Sequence, residues 1–377
     1  HIKIMRIVVN TRFLIKNKLE GIGVFTAETF KRICKNNPDH EFIFLFDRAF
    51  DEEYIFAQNI KGIVLRPPAR HPFLWFLWFE FSVHRFLKQA KADLFISCDG
   101  YVTLRTKTKT LAIIHDLAFE HYPKDVPWIA RKYYRYFFPK FAWKADRIAS
   151  VSEFSKNDIC EWYSTDPNLI DVVYNGSSDH FNPISEDHKI EIRNRYTDGK
   201  EYFIYIGALH QRKNIVNLLK AFDRFRTKSD QDIKLLIVGT KAWRLAEMDQ
   251  VFESMKYKSD VIFTGRLSDN DLAQTLASAL ALVYISYFEG FGIPLLEAMN
   301  CDVPIITSDR SSLPEVAGNA ALIVDPFDLD DISEAMHKIS TNSELRNSLI
   351  EKSKIQRQKF SWDKTAELMW ESILKTI

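Results

Sequence analysis

The 377-residue sequence lacks several features that would direct a chain to a membrane, a disulfide-linked scaffold or nucleic acid. It has no uninterrupted apolar run of about 18 residues, so no transmembrane helix is predicted. Its 4 cysteines are scattered and form no Cys-x-x-Cys pair, which favours a reducing compartment such as the cytoplasm. The formal net charge of +1 gives no bulk attraction to nucleic acid.

The beginning of the chain also lacks the pattern of an export signal. Residues 3–9, Lys-Ile-Met-Arg-Ile-Val-Val, are typical of a first β-strand and not of a cleavable apolar segment. We therefore predict a cytoplasmic protein.

What the sequence does contain is a regular alternation of short apolar runs and amphipathic helical stretches. Strands are predicted at 3–9, 41–46, 61–65, 93–97, 110–114, 146–151, 170–173, 202–206, 233–238, 260–264, 281–285 and 303–306. Helices are predicted at 22–36, 73–90, 128–144 and 154–163, and later ones begin near 213, 244, 269 and 290. This alternation is typical of parallel sheets that helices cover on both faces.

The pattern restarts at Tyr202 after a polar stretch, and 377 residues exceed what one ordinary core holds. We therefore predict an α/β fold of two doubly wound, Rossmann-like domains with parallel sheets. The predicted domains are 1–180 and 201–360, joined by a linker at 181–200. Ligands of such sheets bind beyond the carboxyl ends of the strands, so two facing sheets would form a cleft between the domains.

The most informative segment runs from Glu289 to Glu297 and places two carboxylates eight positions apart. Between them, Gly290 and Gly292 remove side chains where a helix N-terminus exposes backbone N–H groups, and such groups bind anions. A carboxylate repels phosphate, but it can bind the hydroxyl groups of a sugar. The combination therefore points to a nucleotide sugar. A capped helix with Glu297 on its solvent face is the alternative interpretation.

The sequence around these residues resembles the retaining GT-B glycosyltransferases with a Glu-x7-Glu motif. That family includes bacterial mannosyl- and glucosyltransferases of polysaccharide assembly. The matching segments are 151–155, 175–176, 212–214, 286–299, 303–308 and 313–318. The resemblance is dense over 200–327 and thinner over 1–175, and it implies that the last helical segment, 361–377, joins the first domain.

The resemblance implies a role for each residue of the motif. Glu289 would bind hydroxyls of the donor sugar, and Glu297 would bind the ribose. Four residues between them would offer backbone N–H groups to sugar and phosphate: Gly290, Phe291, Gly292 and Ile293. The donor would be a nucleotide diphosphate sugar, and no separate cofactor is expected.

A second loop carries Arg212 and Lys213 just before a helix predicted from Asn214. Cations at the positive end of a helix are unfavourable unless an anion bridges them, and a diphosphate would do so. The resemblance gives Lys213, helped by Arg212, the task of neutralising the departing diphosphate. Gly207 opens this loop, and Ala208 stands where many relatives have an arginine. Two solvated basic residues on an exposed turn are the alternative.

A third loop of the second half begins with Gly265, ahead of a helix that Ser268 or Asp269 caps. A glycine there permits close backbone approach, as to the edge of a nucleobase. An ordinary junction between strand and helix is the alternative.

Residues of the first half complete the predicted site. His115 follows the strand 110–114 and therefore lies at the edge where ligands bind. In similar enzymes this histidine faces the donor sugar. A polar residue whose hydrogen bonds are satisfied by its neighbours is the alternative. Gly21 and Gly23 precede the first helix, where relatives use glycines to bring the backbone near the diphosphate. A dinucleotide-binding Gly-x-Gly-x-x-Gly motif fails because Thr26 occupies the third glycine position.

Two aromatic segments also stand out. The segment 73–81 is apolar all round if helical, which favours a place in the core. The segment 128–147 has six basic residues against one acid, with aromatic residues interleaved, as in helices at anionic membrane interfaces. We predict that it contacts the inner face of a membrane or the acceptor. A core helix with a basic rim is the alternative.

These observations predict a retaining, metal-independent hexosyltransferase. It would move a sugar, with mannose favoured, from a GDP- or UDP-linked donor to a hydroxyl of a glycan or lipid-linked glycan. Asp-x-Asp triplets at 230–232, 269–271 and 328–330 resemble metal sites of other transferases but are predicted to be surface residues. The alternatives are a sugar-nucleotide epimerase on the same fold, an NAD(P)-dependent oxidoreductase and a two-domain sugar-binding protein.

Overall fold

The computed structural model describes residues 4–16, 18–240 and 246–377. The chain divides into two compact units. The first comprises His1–Asn175 and Trp362–Ile377, and the second comprises Gly176–Ser361. Each unit is built on its own parallel sheet, as the alternating pattern predicts.

In the described part of the first unit, seven parallel strands form a sheet in the order β3-β2-β1-β4-β5-β6-β7. The strands are β1 Arg6–Asn10, β2 Glu41–Phe46, β3 Ile60–Val64, β4 Leu94–Ser97, β5 Lys109–Ile114, β6 Arg147–Ser150 and β7 Ile170–Val172. Ile7, Val8 and Val9 of the central β1 are completely buried because helices cover both faces of the sheet. The strand order reverses between β1 and β4, so the loops after these strands diverge there and leave room for ligands.

Helices and turns connect these strands. They are α1 Gly21–Asn36, α2 Pro72–Leu77, a π-helical turn at Trp78–Val83, α3 His84–Ala90, α4 Ala118–His121, α5 Trp128–Lys144, α6 Glu153–Tyr163, a C-terminal helix at Trp362–Thr376, and 3-10 turns at Glu52–Tyr54, Pro123–Asp125 and Pro167–Leu169. The C-terminal helix packs on α1, where Arg32 Nε donates a hydrogen bond to Asp363 at 2.6 Å. Phe25 and Trp362 meet edge to face in the same contact, with ring centroids 6.3 Å apart.

The helical segment predicted at 73–90 is present but is not one continuous α-helix. The π-helical turn interrupts it, and this wider turn rotates the side chains after it relative to those before it. Trp78 is thereby buried, and its indole N–H donates to the carbonyl of Leu65 at 3.0 Å. Phe73 and Phe81 are exposed, so the expectation that the whole segment lies in the core is wrong.

The second unit holds, among its described residues, a parallel sheet of six strands in the order β10-β9-β8-β11-β12-β13. The strands are β8 Tyr202–Ile206, β9 Lys234–Val238, β10 Val261–Gly265, β11 Ala281–Tyr284, β12 Ile305–Ser308 and β13 Leu322–Val324. The central β8 is buried along its whole length. The strand order reverses between β8 and β11, which places the functional loops of this unit at a second switch point.

Helices on both faces complete the second unit. They are α7 Glu186–Thr197, α8 Ile215–Lys228, α9 Ala246–Ser254, α10 Asp269–Ala277, α11 Ile293–Asn300, α12 Leu313–Ala317, α13 Leu329–Thr341 and α14 Ser343–Gln356, with 3-10 turns at Gln211–Lys213, Lys258–Asp260 and Arg357–Lys359. The helix start predicted near 244 falls outside the described residues.

The linker predicted at 181–200 is wrong, because α7 occupies most of it and belongs to the second unit. Ser185 caps this helix by accepting a hydrogen bond from the backbone N–H of His188 at 3.4 Å. Glu186 and Asp187 lie in the first turn, where their negative charges interact favourably with the positive end of the helix dipole. The helix was hidden in the sequence because it has almost no apolar face, although Ile192 is buried.

Candidate active site

Backbone hydrogen bonds tie together the loops at the carboxyl edge of the second sheet. The N–H of Gly207 donates to the carbonyl of Val238 at 2.9 Å, and the N–H of Gly239 donates to the carbonyl of Gly265 at 3.0 Å. A Cβ atom on Gly239 would lie 1.9 Å from the carbonyl oxygen of Gly207, so only glycine fits. The loops after β8, β9 and β10 therefore form one joined surface. Gly239 carries no signal of its own in the sequence, since its importance depends on this close approach.

The loop before α11 takes a shape that requires glycine at position 292. Gly292 has a φ of 103°, and a Cβ atom there would lie 2.7 Å from the side chain of Leu313. The hydroxyl of Ser312 lies 2.9 Å from the carbonyl oxygens of both Glu289 and Phe291 and holds the loop in place. Because of this turn, the helix predicted near 290 begins at Ile293.

The buried carboxylate of Glu289 is held by two cations and a hydroxyl. Lys213 Nζ lies 2.5 Å from Oε1, Arg212 donates to Oε2 at 3.1 Å, and the Tyr284 hydroxyl donates to Oε1 at 3.0 Å. Burial alone raises the pKa of Glu289, but the charges of Lys213 and Arg212 outweigh it and lower the pKa to about 2. Glu289 is therefore ionised at neutral pH.

The short turn Gln211–Lys213 positions the two cations. Asn214 follows it in a left-handed conformation, with a φ of 63°, and its side-chain amide donates to the carbonyls of Ile285 and Pro326 at 3.2 and 2.7 Å. These bonds fasten the loop after β8 to the loops after β11 and β13. The strand order thereby brings together residues that are more than seventy positions apart in sequence.

Neither cation is the freely solvated residue of the alternative interpretation. The side chains of Arg212 and Lys213 are only 27% and 12% exposed. Arg212 also donates to the carbonyl of Phe288 at 3.1 Å, and Lys213 donates to the Tyr284 hydroxyl at 2.7 Å. We call Arg212, Lys213, Tyr284 and Glu289 the charge cluster.

Glu297 lies on α11 in a different electrostatic setting. Burial, with the negative charge of Asp269 as a second cause, raises the pKa of Glu297 to about 8. Its carboxyl group is therefore mostly protonated at neutral pH, when it can donate as well as accept a hydrogen bond. These surroundings differ from the open solvent face of the alternative interpretation.

A cavity of about 630 Å³ opens beside the joined loops of the second unit. Its lining includes the aromatic side chains of Phe252 and Phe263, the acids Asp249 and Glu253, and the backbone of Gly239 and Gly265. Gly265 has a φ of 70°, and a Cβ atom there would meet no neighbour within 4 Å. The predicted loop glycine thus faces open space, as backbone that approaches a ligand would.

In the first unit, His115 lies at the carboxyl end of β5. Its Nε2 donates to the carbonyl of Cys98 at 3.0 Å, and Phe25 of α1 packs edge-on against the ring at 5.0 Å between centroids. Burial lowers the pKa of His115, although the Cys98 carbonyl and Asp116 act in the opposite direction. The imidazole is therefore neutral at neutral pH.

The two glycines predicted to precede the first helix lie instead in the first turn of α1, and they have different surroundings. A Cβ atom on Gly23 would lie 2.7 Å from the carbonyl oxygen of Phe13, so this glycine is needed for packing. A Cβ atom on Gly21 would have no neighbour within 4 Å. Packing therefore explains glycine at 23 but not at 21.

A buried ion pair near these residues was missed by the sequence analysis. Arg12 Nε lies 2.5 Å from Asp99, and Asn10 donates to the same carboxylate at 2.9 Å. The guanidinium also lies over the ring of Tyr101, 4.5 Å from its centroid. Arg12 and Asp99 each lie two residues after the end of a strand, which is the signal that could have identified them.

The described residues also bear on metal sites and membrane-spanning helices. No group of three or more His, Cys, Asp or Glu side chains is arranged to hold a metal ion within 4–16, 18–240 and 246–377. Within the same ranges, no helix combines the length and apolar character needed to cross a membrane. Of the Asp-x-Asp residues, Asp328 caps α13 by accepting from the N–H of Asp330 at 2.9 Å.

Comparison with known proteins identifies the family. Residues 187–356 match the family described as glycosyl transferases group 1, and residues 19–179 match glycosyltransferase family 4. The chain belongs to these glycosyltransferases, and its two parallel-sheet units are those of the GT-B fold.

Individual relatives agree with this assignment. The chain is 27% identical over 364 residues to O-antigen chain mannosyltransferase B of Escherichia coli, covering 93% of this chain and 94% of that protein. A sucrose-phosphate synthase from Thermosynechococcus elongatus has a similar structure, with a TM-score of 0.80, 16% identity and 98% coverage of both chains. Anabaena HepE, solved in complex with UDP-glucose, has a TM-score of 0.77 at 14% identity, covering 98% of this chain and 100% of that chain.

Proposed function

We propose that the protein transfers a hexose, mannose in preference, from a nucleotide diphosphate sugar to a hydroxyl of a glycan or lipid-linked glycan, with retention of anomeric configuration and without a metal. The observation that carries this proposal is the charge cluster beside the glycine-rich start of α11. It combines cations for a diphosphate with a carboxylate for sugar hydroxyls.

The charges of the cluster suit an anionic ligand. Arg212 and Lys213 contribute two positive charges against the one negative charge of Glu289, so these three side chains together carry +1. A bound diphosphate would give both cations a second anionic partner. Glu289 would then have carboxylate oxygen lone pairs to offer to hydroxyls of the sugar.

The proposed reaction breaks the bond between the anomeric carbon and the diphosphate oxygen. The acceptor oxygen forms the new bond on the same face of the sugar, and the acceptor proton passes to the departing diphosphate. Negative charge grows on the leaving group in this step, and Lys213, Arg212 and the N–H groups at 290–293 would stabilise it. Groups that are fixed before the reaction stabilise such charge effectively, because they do not have to reorganise.

The cavity supports a guanine base. Its aromatic side chains, Phe252 and Phe263, offer apolar surface to a flat ring, and Asp249 and Glu253 add carboxylates to the lining. Guanine presents two adjacent N–H donors on its pairing edge, and a carboxylate accepts both. The E. coli relative is named as a mannosyltransferase, which is consistent with GDP-mannose as the donor.

A thermal-shift panel tests this proposal. Purified protein would be melted with GDP-mannose, GDP, UDP-glucose, mannose and NADH at equal concentrations. We expect the largest rise in melting temperature from GDP-mannose and GDP, and none from mannose alone. A larger shift with NADH than with either class of nucleotide sugar would contradict a transferase site, whereas a larger shift with UDP-glucose would overturn only the choice of base.

A further inference from the structure

Helix α5 of the first unit presents a stripe of aromatic and basic side chains to solvent. Trp128, Tyr136 and Trp143 are 58%, 60% and 64% exposed, and Ile129 is also exposed. With Lys132 and Lys140, these residues follow spacings of three, four and seven along the helix, which places them on one side. We call these six residues the α5 face.

Packing of the first unit does not account for this exposed side. The opposite side of α5 supplies the buried residues Ala130, Tyr133, Phe138, Phe141 and Ala142. Tyr133 and Phe141 take part in a large aromatic core with Tyr101. Trp143 donates its indole N–H to the carbonyl of Tyr163 at 2.6 Å, but its ring, like those of Trp128 and Tyr136, leaves apolar surface in water.

The charges on α5 have one sign. Residues 128–144 include Arg131, Lys132, Arg135, Lys140 and Lys144 and no acid. Lys132 lies 4.6 Å from the ring centroid of Trp128, and Lys140 lies 3.3 Å from that of Tyr136. Each of these pairs places a positive charge directly beside an aromatic ring.

Neighbouring aromatic residues extend the same surface. Phe137 of α5 packs against Phe76, with ring centroids 5.9 Å apart, and Phe76 in turn contacts Phe81. Phe81 is exposed, and the guanidinium of Arg105 lies 5.3 Å from its ring centroid. The pairing of aromatic ring and cation thus recurs beyond α5.

We propose that the α5 face docks on an anionic lipid bilayer. Tryptophan and tyrosine favour the boundary between headgroups and acyl chains, because their rings are apolar and their N–H and O–H groups are polar. Lysines beside them attract negatively charged headgroups, and amphipathic helices of this composition lie in the plane of the interface. The whole-chain charge of +1 does not weaken this local attraction, since charges farther than about 10 Å are screened by salt.

Vesicle sedimentation tests the proposal directly. The full-length protein would be spun with phosphatidylcholine vesicles that contain or lack phosphatidylglycerol, at low and physiological salt. We expect binding only to the anionic vesicles, and weaker binding as salt rises. Absence of binding to anionic vesicles at low salt would overturn the proposal, as would equal binding to both vesicle types.

Paired variants separate the α5 face from general surface charge. Lys132→Gln with Lys140→Gln should weaken binding roughly 30-fold, because each lysine near an anionic surface contributes about a fivefold effect. Lys31→Gln with Lys35→Gln removes the same charge from exposed positions of α1 and should leave binding almost unchanged. Equal losses from both pairs would show that the binding is not specific to α5.

An aromatic pair provides a second test. Trp128→Ala with Tyr136→Ala should reduce binding at every salt concentration, because the apolar contribution is not screened. Trp162→Ala, at an exposed tryptophan of α6, is the matched control and should retain binding. Unchanged binding of the aromatic pair would contradict insertion into the interface. The assay contains no sugar nucleotide, so its outcome is independent of the proposed transfer reaction.

Discussion

Each unit of this chain holds a buried ion pair at the carboxyl edge of its sheet, and the two pairs differ in what they leave accessible. In the first unit, Arg12 is only 5% exposed and is enclosed by Asp99 and the ring of Tyr101. In the second unit, Arg212 and Lys213 share Glu289 but keep part of their surface exposed. The same chemical groups therefore serve structure in one place and remain available to a ligand in the other.

The difference follows from how each pair is satisfied. Asp99 accepts hydrogen bonds from Asn10, Ser97 and the backbone of Tyr101 in addition to Arg12, so its oxygens are fully used inside the protein. Such an enclosed pair mainly avoids the cost of an unpaired buried charge. A cluster that is open on one side can exchange partners when an anion binds.

The largest effect should come from breaking the enclosed pair. Arg12→Met leaves the Asp99 carboxylate buried without its cation, which should destabilise the first unit by about 3–5 kcal/mol. Thermal melts followed by circular dichroism would measure this loss. Lys16→Met removes a cation of the same region from an exposed pair with Asp51 and should change the melting temperature little. Equal effects of the two variants would contradict the distinction between enclosed and open pairs.

A substitution in the charge cluster of the second unit should lower activity and not stability. Glu289→Gln removes the carboxylate that would orient the sugar, so turnover should fall by about 100-fold or more while the sheets remain folded. Radiolabel transfer from GDP-mannose and circular dichroism would report the two quantities. Glu334→Gln, at an exposed position of α13, is the control and should keep normal turnover. Near-normal transfer by Glu289→Gln would remove this residue from the site.

A smaller effect should separate the two glycines in the first turn of α1. Gly23→Ala would force a Cβ atom against the Phe13 carbonyl and should cost about 1–3 kcal/mol of stability. Gly21→Ala meets open space and should leave stability almost unchanged, yet weaken binding of the donor if a ligand approaches that backbone. Melting temperature and donor titration on both variants would check this. Similar melting losses for the two substitutions would refute the packing argument.

A separate effect should appear in the pH dependence of stability, at the second acid of the motif. Because the pKa of Glu297 is raised to about 8 in the folded protein, ionisation destabilises the fold as pH rises from the ordinary value of 4.5 toward 8. Glu297→Gln cannot ionise, so its melting temperature should exceed that of the unaltered protein increasingly over this range. A difference in melting temperature between the two proteins that stays constant from pH 5 to pH 8 would contradict the raised pKa.

The strands and helices of the two units also show how much of the structure the sequence could predict. The buried strands were predictable because their apolar runs are nearly continuous. Helix α7 was not, because its polar residues give no apolar stripe, and β13 has only three residues. Short or polar elements depend on tertiary contacts that the local pattern does not contain.

The candidate site was likewise predictable only in part. The glycine-rich loop and the basic pair could be identified because each carries a local signal at a helix start. Their convergence on one carboxylate could not, since Lys213 and Glu289 come together only through the order of the strands. The ion pair of Arg12 and Asp99, 87 positions apart, was missed for the same reason.

The central claim is that the charge cluster binds the diphosphate of a sugar nucleotide, and titration calorimetry with GDP tests it most directly. Lys213→Ala should weaken GDP binding by roughly tenfold or more, because a hydrogen bond to a charged group contributes about 1.5–3 kcal/mol. Lys228→Ala, at an exposed lysine of α8, should bind GDP like the unaltered protein. GDP binding of equal strength in the Lys213 variant would contradict the account.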